Sequence, residues 1–412
     1  MTQENRMILP SDRDITGRSF GEEELALLRE VIESGNLFTI GGTKAPQLEK
    51  ELAELFGIAH ARAVCSGSAA VHTALGALDI APGDEVVSSP ITDMGAISPI
   101  LFQGAVPVFA DVDPDTLNVT AETLSPCIND RTRAIVVTHL FGNPCDMDPI
   151  IALAKLHGIP VVEDAAQAYL ATYKGKLIGT LTEIAAFSLQ QTKQMTSGEG
   201  GFVITDDDEL ARRVRLWADK GWGYGDADPD HEYLGLNYRM TELQAAVALA
   251  QVRKVKDMVA QRVKMADMLR DLVAGLPGLR PLPITPGATM TYWKFVLLVD
   301  QDELGVGPDI IGKELKQLGV WNVPRYIRKP AFMCRQFQER NTFRDTRFPY
   351  SSYPDAPDIE RLDDYPGCRD GLAQVLVLPW TEKYEEEHIR YIADRVGEAI
   401  EQARPKTVAA GD

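Results

Sequence analysis

Seven short runs rich in valine, isoleucine and alanine fall within the first half of this chain, at 61–65, 85–89, 106–110, 134–138, 159–163, 184–188 and 201–205. Helical patterns stand between several of them. One example is 147–157, which Gly158 closes as a C-terminal cap. This alternation constrains the fold more than any other feature. Strands that are apolar on both faces must be covered on both faces, and helical crossovers between them make the strands parallel. The reading is an α/β fold: a three-layer α/β/α domain around a mainly parallel sheet.

The pattern changes after about residue 250. A long amphipathic helix over 252–272 suits a connector between domains. The Pro- and Gly-rich stretch 277–286 suits a linker. The rest mixes strands at 293–299 and 374–378 with helices such as 385–402, as expected of a smaller α+β domain. The expected division is 1–255 for the large domain and 256–412 for the small one, with frayed ends at 1–7 and 405–412.

Composition narrows the function. The chain has 412 residues and a formal charge of −18. Such a surface repels phosphate backbones, so nucleic acid is not an expected partner. The five cysteines are scattered and include no CxxC pair, which fits reduced thiols better than a disulfide framework. No apolar run approaches the ~20 residues of a membrane span, and the first ten residues lack an apolar signal core. A cytoplasmic protein is expected, without membrane or metal.

Four segments carry candidate chemistry. Ser66-Gly67-Ser68 follows a strand and opens a helix, where unpaired first-turn amides and small residues suit a phosphate. A serine N-cap is an equally simple account. Asp164 ends an apolar strand, at the carboxyl edge where open α/β sheets bind ligands. A carboxylate there can hold a protonated ring nitrogen, or cap the following turn. Lys193 lies in a loop after Ser188, ahead of Gly198, Gly200 and Gly201. Buried, its amine would lose its proton readily enough to attack an aldehyde; solvated, it would be an ordinary loop lysine. Finally, 236–246 reads as a polar loop entering a helix. Asn237 or Arg239 could reach an anion there, while Thr241 and Gln244 suit a capping box. His72 and His139 read as packed histidines.

In this order the segments resemble the DegT/StrS family of sugar aminotransferases, within the fold-type I pyridoxal-phosphate enzymes. The resemblance covers roughly 16–400. Supporting segments are Gly41-Gly42, Pro82-Gly83-Asp84-Glu85-Val86 and Pro107-Val108-Phe109-Ala110-Asp111-Val112. It implies pyridoxal 5'-phosphate as cofactor, with Lys193 as the Schiff-base lysine and Asp164 on the pyridine nitrogen. Gln167 would lie beside the ring hydroxyl, and Ser66, Gly67, Ser68 and Ser188 would hold the phosphate. It further implies a homodimer with shared sites, Asn237 reaching the phosphate of the neighbouring subunit. The family stacks an aromatic on the ring from the segment after Pro90. Here that stretch has none; Met94 or Asp93 would lie over the ring instead, and Met94 is the expected substitute because a thioether packs on a π-face. Arg239 and Arg325 are candidates for a donor carboxylate.

Gln190-Gln191, Tyr292-Trp293-Lys294 and Lys329-Pro330-Ala331-Phe332 resemble the glutamine:scyllo-inosose, or cyclitol, branch. The implied reaction moves an amino group from glutamate or glutamine to a keto-sugar or keto-cyclitol, in sugar, cyclitol or antibiotic biosynthesis. A sugar dehydratase is the nearest alternative, but such relatives replace the lysine with histidine. A non-catalytic regulatory protein that binds pyridoxal phosphate or a sugar is the other.

Overall fold

The computed structural model describes residues 6–353 and 359–404. The ends expected to fray fall outside these residues, apart from Arg6 and Met7. The large sheet has seven strands: β1 (His60–Val64), β2 (Glu85–Ser88), β3 (Val106–Phe109), β4 (Thr132–Thr138), β5 (Val161–Asp164), β6 (Ile184–Ser188) and β7 (Gly201–Thr205). They lie in the order β1-β7-β6-β5-β4-β2-β3. β3, β2, β4, β5 and β6 are mutually parallel, while β7 runs antiparallel to both β6 and β1. Six strands therefore point one way, and their carboxyl ends share one edge. Every strand expected from the sequence is present to within two residues.

Helices cover the sheet: α1 (Glu22–Ser34), α2 (Lys44–Phe56), α3 (Gly67–Ala77), α4 (Met94–Phe102), α5 (Met147–His157), α6 (Asp208–Trp217) and α7 (Glu242–Val273). α3 is buried almost throughout, because its small and apolar residues pack directly on the sheet. Gly158 closes α5 in the left-handed conformation (φ 66°), as its position implies.

α7 starts ten residues earlier than its amphipathic pattern. Thr241 and Gln244 form a capping box, and the first turns carry buried alanines with too little polarity to show a period. The helix packs on α1 and α2 and, towards its far end, on α9 (Glu386–Ala403).

A second sheet of four antiparallel strands is built from β8 (Leu279–Pro281), β9 (Lys294–Val299), β10 (Val323–Pro324) and β11 (Val375–Pro379), in the order β8-β9-β11-β10. α8 (Pro308–Gln317) packs on it, and α9 packs on α8. The expected linker at 277–286 is corrected here. Leu279–Pro281 pairs with Leu297–Val299 as an edge strand, a position that tolerates proline because only one side of the backbone is bonded.

Buried charge ties the parts together. Arg262 of α7 donates from Nη1 to Glu382 Oε2 at 2.9 Å, and Arg18 donates to the same oxygen at 3.4 Å. The backbone amide of Ser19 reaches Glu382 Oε1 at 3.2 Å. Both guanidinium groups and the carboxylate are essentially dry. No helix of the described residues is long and apolar enough to cross a membrane.

Candidate active site

Strand direction assembles the site. Residues that follow β1, β2, β5 and β6 meet at the shared carboxyl edge around a cavity of about 360 Å³, a size ordinary for small-molecule sites. Its walls include Ser66, Gly67, Ser68, Asp164, Gln167, Ser188 and Lys193, so seven of the residues singled out in the sequence line one space.

Register explains the serine–glycine end. Gly201 pairs with Val64 on one side and Ser188 on the other. A Cβ there would stand 2.5 Å from the Ser66 carbonyl oxygen and 2.7 Å from that of Phe187. The glycine thus lets the ends of β1 and β6 close together. Gly67 is equally constrained, since a Cβ would lie 2.7 Å from Ser188 Cβ. Ser66 caps α3, its Oγ accepting from the Ala69 amide at 3.0 Å. The amides of Gly67 and Ser68 remain in the first turn, without intrahelical acceptors. Capping and anion binding are compatible readings of the same segment.

At the other end, Asp164 is buried at the tip of β5. Its register partners are Thr138 and Ala186. Thr138 Oγ1 donates to Oδ2 at 3.2 Å, and the Ala166 amide donates to Oδ1 at 3.2 Å. Burial raises the acid's pKa, and the positive charge of Lys193 opposes that most strongly. Neighbouring Glu163 has a structural task. Its oxygens accept from the amides of Gly179, Leu181 and Thr182 and face His139 Nε2 at 3.2 Å. His139 Nδ1 accepts from the Cys145 amide, so this histidine is spent on packing, as is His72 between Tyr238 and Gln103.

Lys193 sits in the hairpin between β6 and β7. The hairpin is closed by Leu189 N to Gly200 O at 2.8 Å and Gln191 N to Gly198 O at 2.9 Å. The lysine is 9% exposed. Burial, helped by the charge of Lys294, lowers its pKa to about 8, while Asp164 and Asp93 pull the other way. Its amine is therefore available as a nucleophile near neutral pH.

Three expected site residues stand elsewhere. Met94 is the first residue of α4, and Asp93 caps that helix with Oδ1 accepting from the Gly95 amide at 2.8 Å. The cap turns Asp93 to the cavity wall and packs Met94 against the cluster of Ile97, Leu101, Phe109 and Phe332. Arg239 pairs with Asp219 and lies over Phe38. Arg325 pairs with Asp309 at 2.8 Å in a separate groove. Neither arginine lines the cavity. Asn237 is exposed and lies away from the cavity of its own chain.

The cavity also has walls that sequence reasoning did not assign: Thr92, Glu199, Trp293 and Tyr326. Gln167 accepts from the Phe141 amide at 2.7 Å, and Tyr326 lines the same cavity. Arg325 and Tyr326 are both left-handed (φ 63° and 49°). This turn leaves the guanidinium outside and the phenol at the cavity.

A group that uses all of this needs an anionic tail for the serine–glycine cradle, a basic ring nitrogen for the buried acid and an electrophile for the lysine. Pyridoxal phosphate fits on each count, and fold and site together define a fold-type I pyridoxal-phosphate enzyme. The chain belongs to the DegT/DnrJ/EryC1/StrS aminotransferase family, whose profile matches residues 18–397. It is thus a pyridoxal-phosphate-dependent aminotransferase of a sugar-aminotransferase family.

It is 35% identical over 364 residues to the spore coat polysaccharide biosynthesis protein SpsC of Bacillus subtilis, covering 85% of this chain and 90% of that one. Among solved structures it is similar to an aminotransferase from Psychrobacter cryohalolentis (TM-score 0.82, 32% identity, 94% of this chain and 98% of that chain). It is also similar to S. venezuelae DesV (TM-score 0.80, 29% identity, 92% and 95%).

Proposed function

We propose that this enzyme moves an amino group from glutamate or glutamine to the ketone of a sugar or cyclitol in two half-reactions, with Lys193 as the Schiff-base residue. The observation that carries the reading is a buried lysine with a lowered pKa sharing a cavity with a buried acid and a helix-terminal phosphate cradle. Pyridoxal phosphate, when bound, supplies an aldehyde that exchanges amines and a ring that draws electrons from the carbon losing its proton.

The protein's residues do the rest. Ser66, Gly67, Ser68 and Ser188 hold the phosphate. Asp164, steadied by Thr138 and the Ala166 amide, holds a proton on the ring nitrogen. Gln167 would lie beside the ring hydroxyl. The Lys193 amine would hold and move the proton at the reacting carbon, a general acid–base task. Donor and acceptor share one pocket in turn, so a polar wall of Asp93, Thr92, Gln190 and Glu199 suits hydroxyl-rich partners better than an apolar slot would. A keto-cyclitol is the acceptor favoured by the segments at 190–191, 292–294 and 329–332.

The same proposal includes a homodimer in the cytoplasm. Leu234 (91% exposed), Leu236 and Phe38 leave apolar surface near Asn237, which fits a second copy better than water. Asn237 would then complete the neighbour's phosphate site.

The test is Lys193→Ala together with borohydride reduction of the loaded wild type. The variant should lose transamination and the visible absorbance of bound cofactor, and mass spectrometry should find the reduced label on Lys193. Normal turnover by the variant would overturn the reading. Donor-loaded enzyme screened against keto-sugars and inososes then identifies the acceptor.

A further inference from the structure

Trp293 enters the site from the start of β9, far in sequence from the other walls. Lys193 Nζ lies 4.1 Å from the centroid of its ring. The indole N–H donates to the carbonyl of Thr192, the residue just before the lysine, at 2.9 Å. The Trp293 amide donates to Phe141 O at 2.8 Å, and the fully buried Arg262 donates to the Trp293 carbonyl at 3.1 Å. The Tyr326 ring meets the indole edge-on at 86°. The indole is therefore held from several sides and tied to the lysine's own loop.

A lysine freed from its bond has a long side chain with many rotamers. Two acids that face it, Asp164 and Asp93, attract its ammonium. An ion pair with Asp164 would occupy the carboxylate that the ring nitrogen needs. The electron-rich face of an indole attracts an ammonium without consuming an acid. In the structure Nζ is on the indole.

We infer that Trp293 is a positioning residue, whose indole face docks the Lys193 amine whenever it is not bonded to the cofactor and keeps it off Asp164. The inference rests on Lys193 being the Schiff-base residue. Lys294, ion-paired with Asp12, stands 5.0 Å from the same ring and opposes a tight grip on the ammonium. The dock therefore holds the amine without trapping it. The other titratable groups that line the cavity are Glu199 and Tyr326.

The test compares Trp293→Phe, which keeps an aromatic face, with Trp293→Met, which stays apolar without one. In the full-length protein stripped of cofactor, capture of pyridoxal phosphate should slow roughly tenfold in Trp293→Met and less than about threefold in Trp293→Phe. Capture joins the amine nitrogen to the aldehyde carbon and releases water, so it reports on the lysine. Pyridoxamine phosphate forms no bond with the lysine, and its affinity should stay within about twofold in every variant.

A second readout needs no Met variant. In the pyridoxamine-loaded enzyme, emission from Trp293 (wild type minus Trp293→Phe) should follow one titration as Lys193 loses its proton and become flat in Lys193→Ala. Equal capture rates in all forms, a parallel loss of pyridoxamine phosphate affinity, or pH-independent emission would each overturn the inference. A borohydride label found elsewhere than Lys193 would instead sink the reading beneath it.

Discussion

In the proposed reaction one amine governs the chemistry at the scale of single residues. With its pKa lowered to about 8 by burial, Lys193 is roughly one-tenth neutral at pH 7. Capture of pyridoxal phosphate by the stripped protein should therefore rise roughly tenfold from pH 7 to 9 and level off above. Lys294→Met removes a repelling charge, so the midpoint should move to higher pH; stopped-flow absorbance reads both. The same group bears on stability. Between about pH 8 and its ordinary value the unfolded chain holds more of this proton than the native one, so the fold gains stability as pH rises through that window. Below it the burial cost is carried in full.

The residues legible in the sequence are those at strand ends, where direction alone fixes their meeting: Ser66, Asp164, Ser188 and Lys193. Trp293 and Tyr326 were not assigned, because they arrive from a second sheet whose docking no local pattern encodes. Met94 was preferred to Asp93 because a thioether packs on a ring, whereas the cap formed by Asp93 puts Asp93 and not Met94 at the cavity wall. Arg239 and Arg325 had acids close by in the fold, Asp219 and Asp309, that their sequence neighbourhood did not disclose.

Among the elements, close approach of α3 to β6 is the decisive feature. Gly67→Ala would put a methyl 2.7 Å from Ser188 Cβ, with backbone behind it. The helix must shift, at a cost of about 1–3 kcal/mol. Affinity for pyridoxal phosphate should fall roughly tenfold or more, with the large sheet intact by circular dichroism; unchanged affinity in an equilibrium titration would refute this account of the cradle. The strands were readable because each is a short apolar run bounded by turns. The edge strand Leu279–Pro281 was hidden by its proline and flanking glycines, which read as linker, since its pairing partner β9 lies well downstream.

Over the whole molecule, Glu382 joins the N-terminal segment, α7 and the stretch after β11 through two dry arginines. Glu382→Gln strands two buried cations and should cost about 3–5 kcal/mol in chemical denaturation. Assembly has its own test. Lys193→Ala and Asn237→Ala should each be inactive, yet mixing them after subunit exchange should restore about a quarter of full activity, because half the dimers then carry one intact site. No recovery would place Asn237 outside the neighbour's site.

The reversed run of β7 has a mechanical result. Had the chain crossed over through a helix after β6, the lysine would ride on a long connection to the far edge of the sheet. Instead it is on a twelve-residue bend pinned at both ends (residues 189–200). Its excursions are therefore rotations about side-chain bonds on a bend that is itself held in place.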